Sequence, residues 1–110
     1  MKKGYQVTFF AQQSHVHGDR PAAEWLMELL ASMGIQGATM MVCTEGIGHH
    51  HHLHAYHLFS KHDQPVEVSM VVTAGDCERV FARLNEEAGL ALFYAHTPVE
   101  FGEAGGGPGT

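Results

Sequence analysis

Apolar residues along this chain change their spacing twice, in the same order, and that repetition restricts the fold more than any bulk figure does. From Tyr5 to Ala11 the sequence alternates, Tyr5, Val7 and Phe9 against Gln6, Thr8 and Phe10, which is the period of a strand. From Ala22 onward the spacing becomes helical, with Ala22, Trp25, Leu26, Leu29, Leu30 and Met33 on one face. Pro21 suits the first helical turn, Asp19 or Arg20 lies at the cap position, and Gly34 ends the helix. Ala38 to Thr44 ("ATMMVCT") reads as a second strand, apolar on both faces and so expected to be central in the sheet or covered by an interface. Then the cycle repeats. Val66, Val68, Met70 and Val72 alternate with Glu67 and Ser69, and Thr73 with Asp76 has the spacing of a capping box. Cys77, Val80, Phe81 and Leu84 form the inner face of a second helix that closes at Gly89, and Leu90 to His96 reads as a last strand.

The order is β-α-β-β-α-β. Right-handed crossovers in both halves close it into an α+β, ferredoxin-like sandwich, a four-stranded antiparallel sheet with two helices on one face. The other face then carries Thr8, Phe10, Val71 and either Met40 or Met41, too apolar to leave in water. A homo-oligomer packed through its sheets is the expected cover. One domain over residues 1–102 accounts for the pattern, and the Gly-rich end 103–110 ("EAGGGPGT") is expected to be a disordered tail.

Between the two halves lies a long excursion, residues 44–62, containing "GIGHHHHLHAY" from Gly46 to Tyr56. Its internal position argues against an expression tag. Connections of this length in compact domains are often functional. Zinc, nickel or copper(II) would take three or four neutral imidazoles converging at about 2 Å. An extended backbone puts His50, His52 and His54 on one side, whereas a helix groups His50, His54 and His57. His15 and His17 would supplement them if the two loops meet, and Glu45, Asp63 and Glu67 are the nearest carboxylates to orient the rings. Against a dedicated metal site stands the plainer reading of surface histidines with opportunistic affinity, which outweighs it. Clustered imidazoles would also repel when protonated, which makes pH sensing a further reading.

A formal net charge of −6, with only 6 Lys and Arg, argues against a nucleic-acid partner. No apolar run approaches the ~20 residues of a membrane span, and polar positions interrupt any h-region in "MKKGYQVTFF", so a cytoplasmic protein, not an integral membrane one, is expected. Cys43 and Cys77 give no disulfide framework. Met40, Met41 and Cys43 suggest copper(I) by their sulfur, but core packing explains them better. Cys43 with a histidine, or Ser14 with His15, lacks an orienting acid and an oxyanion element, so no enzymatic activity is expected.

The segments "GYQVTFF", "GDRPAAEWL", "GATM", "EGIGH", "LHAYHLF" and "QPVEVSMVV" fall in the order seen in a bacterial family. The chain resembles the PII-like family catalogued as domain of unknown function 190. That resemblance implies ferredoxin-like protomers assembled as homotrimers, with residues 44–62 as the T-loop that contacts protein partners. It also implies clefts between protomers at the base of that loop, holding a small molecule, often an adenine nucleotide. Gly46 and Gly48 match the family's Gly-x-Gly loop base, with Ile47 where Phe is common, and His54 matches a position where His is common. Tetra-histidine 49–52 and His57 depart from the family pattern. The glycine-lysine phosphate loop of PII proteins themselves is replaced by "NEEAGLALFY", where Glu86 and Glu87 would repel a triphosphate and leave a less charged nucleotide or another metabolite. The resulting expectation is a signalling protein that reports a small ligand through the His-rich loop. The alternatives are a zinc, nickel or copper sensor or buffer, and an interaction module without a small ligand.

Overall fold

The computed structural model describes residues 1–43 and 63–106. Strand β1, Lys2–Gln12, leads into a small ribbon of β2, Val16–His17, against β3, Arg20–Pro21, and then into helix α1, Ala22–Ser32. Strands β4, Thr39–Val42, and β5, Pro65–Thr73, follow, then helix α2, Ala74–Leu84, and strand β6, Phe93–Phe101. The four long strands form one antiparallel sheet in the order β4-β5-β1-β6. This is the ferredoxin-like arrangement expected from the spacing.

Strand β1 sits at the centre. Its ladder with β5 runs from Gly4 opposite Thr73 to Gln12 opposite Pro65, and its ladder with β6 from Lys2 opposite Phe101 to Phe10 opposite Phe93. The core lies between sheet and helices. Val7 and Phe9 of β1 and Val66, Val68, Met70 and Val72 of β5 are buried against Leu26 and Leu30 of α1 and Cys77, Val80 and Leu84 of α2. Each such aliphatic side chain contributes about 1.5–3 kcal/mol on burial.

The opposite face is bare of any layer among the described residues. Facing partners in an antiparallel pair share a side, so the register decides which methionine looks outward. Met40 lies opposite buried Val68 and belongs to the helix side, whereas Met41 lies opposite Glu67 and joins Thr8, Phe10 and Val71 on the open side. Phe93 adds to this surface, its ring 5.6 Å from that of Phe10, and Thr8 and Ser69 exchange a hydroxyl hydrogen bond of 2.9 Å across it.

Three local expectations need correction. Of the two readings of Ala38 to Thr44, central in the sheet or covered by an interface, the first is not met: among the described residues the strand is an edge. Met40, Met41 and Val42 are 41, 51 and 52 % exposed. An apolar pattern on two faces does not by itself separate an edge strand from a central one. The cap of α1 is Pro21 rather than Asp19 or Arg20, because Arg20 and Pro21 are drawn into the ribbon and Arg20 forks onto Glu28. A backbone group replaces the missing side-chain cap: the Ala22 N–H donates to the His15 carbonyl at 2.8 Å. The last strand begins at Phe93 and runs on to Phe101, instead of spanning Leu90 to His96. Gly89 at φ +78° and Ala91 at φ +50° turn the chain in between, and buried Leu90 plugs the core.

At α2 the sequence signal holds. Thr73 Oγ1 accepts from the Asp76 N–H at 3.2 Å, while the Asp76 carboxylate takes Arg79 at 2.7 Å. Arg79 also donates to the Met33 carbonyl at 3.1 Å, joining α2 to the end of α1.

Gly4 has a demanding position. A Cβ built there would lie 1.8 Å from the Val72 carbonyl oxygen, a backbone atom that cannot swing aside. Gly4→Ala is expected to cost about 1–3 kcal/mol through displacement of the β1–β5 pairing, read as a lowered melting temperature in thermal unfolding. An unchanged melting temperature would show that the strands separate there at no cost.

Candidate functional site

Three connections gather at one end of the sheet, because β1 ends where β5 and β6 begin. They are the turn 13–21, the two roots of segment 44–62 at Cys43 and Asp63, and the α2–β6 connection 85–92. The expected loop-base residues Gly46, Gly48 and His54, and the candidate metal ligands His50, His52, His54 and His57, lie outside the described residues, as do Ile47 and His49.

At the first root, the Cys43 N–H donates to the Pro65 carbonyl at 2.8 Å, and the Cys43 thiol reaches a Glu67 carboxylate oxygen at 3.8 Å. Burial pushes the thiol up from its ordinary range, and the Glu67 charge adds to the shift. The thiol is therefore held protonated and is a poor nucleophile. At the second root, the Asp63 carboxylate accepts the Ser14 N–H at 3.0 Å, and Gln64 exchanges bonds with Gln13, accepting its N–H at 3.0 Å and donating to its side-chain oxygen at 3.4 Å.

His15 and His17 each meet a partner within the described residues, whereas the histidines they were expected to supplement lie outside them. A carbonyl can only accept, so His15 Nε2 carries the hydrogen that goes to the Leu90 carbonyl at 3.0 Å. His17 Nε2 faces a Glu87 carboxylate oxygen at 3.5 Å, and its ring stands edge-on to Trp25 with centroids 4.7 Å apart. Among the described residues no group of three or more His, Cys, Asp or Glu could hold an ion. Of the carboxylates suggested as orienting partners, Asp63 bonds Ser14 and Glu67 meets Cys43, while Glu45 lies outside the described residues.

The acidic pair of the α2–β6 connection is uneven. Glu87 is half-buried between His17 and Arg83, the latter 3.6 Å away, while Glu86 is largely exposed at 4.0 Å from Arg83. Arg83 also lies over Trp25 at 5.9 Å. Trp25 is thus half-buried under polar side chains rather than wholly in the core. Sequence reasoning missed the ties of Ser14, His15 and His17 because their partners stand 49 to 75 residues away, and an HxH pair carries no sign of what it will meet. At the opposite end of the sheet, a shallow cavity of about 480 Å³ is lined by Lys3, Gly4, Tyr5, Ala74, Pro98, Val99 and Glu100.

The sequence profile of the DUF190 family, described as an uncharacterised ACR, matches residues 4–97. The chain belongs to that family. No curated protein sequence matches it. Its fold is shared with solved structures of PII-like proteins. One, from Thermus thermophilus and described as a PII-like signalling protein, is 20% identical over 90% of each chain with a TM-score of 0.56. Another, CPII of Thiomonas intermedia, a nitrogen regulatory PII-like protein bound to ADP, AMP and bicarbonate, is 13% identical over 91% of this chain and 96% of that one, at a TM-score of 0.61. A second CPII structure, bound to ADP, AMP and acetate, is 16% identical over 93% and 91%, at 0.55. Among the described residues no helix is long and apolar enough to cross a membrane.

Glu67→Gln removes the negative charge beside Cys43. Alkylation of Cys43 by iodoacetamide at neutral pH is expected to quicken about two- to five-fold, as a charge near 4 Å contributes about 1 kcal/mol in water-like surroundings. Equal rates in the two proteins would show that Glu67 does not reach the thiol.

Proposed function

We propose that this chain is a PII-like signalling protein, assembled as a homotrimer, that binds an adenine nucleotide in clefts between protomers and reports occupancy through residues 44–62. The observation that carries the reading is the fold, shared across nine-tenths of the chain with proteins such as CPII, which is bound to ADP and AMP. The open sheet face supports the assembly. Phe10, Met41, Val71 and Phe93 leave an apolar surface that a second and third copy would cover. The gathering of three connections at one end supports the location, since the roots of 44–62 stand there beside the α2–β6 connection.

Charge favours the less phosphorylated nucleotides. Residues 85–92 hold no lysine or arginine, and the exposed carboxylate of Glu86 would oppose a triphosphate. Catalysis has no part in this reading. The metal-sensor alternative rests on the histidines of 49–57, which lie outside the described residues.

Light scattering of the tag-free protein is expected to give a mass of about 36 kDa, three times the protomer's 12.0 kDa. Val71→Asp, which sets charge on the open face, is expected to return it toward the protomer mass. A wild-type protein that is monomeric at micromolar concentration would remove the inter-protomer cleft, and with it this reading.

In thermal shift on chelator-stripped protein, AMP or ADP is expected to raise the melting temperature more than ATP, with the effect retained when His49 to His52 are replaced by Ala. Saturation at a hundredfold over the dissociation constant stabilises by about 2.7 kcal/mol. A shift with zinc, nickel or copper only, lost in that variant, would make metal the ligand instead.

A further inference from the structure

The turn 13–17 is bonded in two directions at once. On one side it grips the residues entering β5: the Gln13 N–H donates to the Gln64 carbonyl at 3.0 Å and the Ser14 N–H to Asp63 Oδ1 at 3.0 Å. On the other side it grips the α2–β6 connection: His15 Nε2–H donates to the Leu90 carbonyl at 3.0 Å, and His17 Nε2 lies 3.5 Å from Glu87 Oε1. The turn itself is fixed between β1 and α1. The His15 N–H donates to the Gln12 carbonyl at 2.9 Å, and the His15 carbonyl accepts from Ala22 at 2.8 Å.

Both gripped segments are stiff where they are held. Leu90 is buried between two residues of positive φ, Gly89 and Ala91, so its carbonyl cannot move without turning strained backbone or lifting the side chain from the core. Gln64 precedes Pro65, the end of the β1–β5 ladder. His17 is further seated against Trp25, which Arg83 approaches from α2.

We infer that residues 13–17 are a coupling element between the β5 root of segment 44–62 and the α2–β6 connection. A displacement at Asp63 and Gln64 pulls on Ser14, hence on His15 and His17, hence on Leu90 and Glu87, and the reverse holds with equal free energy. The inference goes beyond the proposed function. It concerns the ligand-free protomer and holds whatever the ligand is.

Reciprocity is the test. Amide hydrogen exchange is followed in ligand-free His15→Ala and Asp63→Ala, each of which removes one grip. In His15→Ala the Gln13 and Ser14 amides are expected to exchange about five-fold faster, and in Asp63→Ala the Glu86 and Glu87 amides by a similar factor, the scale of one lost hydrogen bond. His15→Gln, whose amide can still donate to Leu90, is expected to restore the slow exchange. The Val7 and Met70 amides in the central strands serve as the reference and stay unchanged. Faster exchange confined to each variant's own side, or spread evenly to Val7 and Met70, would overturn the coupling.

Discussion

Everything in this fold hangs on the pairing of β1 with strands on both sides. β1 is hydrogen-bonded to β5 along one edge and to β6 along the other. One of its faces supplies Val7 and Phe9 to the core, and the other supplies Thr8 and Phe10 to the open surface. Because side chains alternate, a slip of one residue would exchange the two sets and expose the core. The tight passage of Gly4 under the Val72 carbonyl holds the register at one end. The Gln13–Gln64 and Ser14–Asp63 bonds hold it at the other.

Element order and facing were readable because they depend on period alone. Val66, Val68, Met70 and Val72 announce their side whatever lies across from them, and Thr73 announces the start of α2. What was not readable depends on partners distant in sequence. "ATMMVCT" is apolar on both faces, a pattern that does not distinguish a central strand from an edge, and among the described residues it is an edge. "LALFY" has strand composition, but Leu90 and Ala91 are spent on a turn whose left-handed backbone no propensity signals outside glycine. For the site itself, His15 and His17 have the spacing of a ligand pair, and the fold uses them as hydrogen-bond donors to a carbonyl and a carboxylate. The family resemblance gave the loop base, whose residues lie outside the described ones.

The described end of the sheet is already paired within itself. Among the described residues no buried side-chain nitrogen or oxygen lacks a partner. Asp63, Glu67, Glu87, His15 and His17 each hold another part of the chain. The charged side chains at this end thus serve first to tie the connections to one another.

The two roots of the central segment differ in strength. On the β5 side the chain is clamped to Gln13 and Ser14 and continues into a nine-residue strand. On the β4 side it hangs from an exposed strand of four residues, paired on one edge alone among the described residues. Local opening takes the cheapest bonds first. Release of those four residues would lengthen that arm by up to about 13 Å at the reach of extended chain. The chain is thus held unequally at its two roots, firmly at Asp63 and Gln64 where it enters β5 and loosely at Cys43 where it leaves β4.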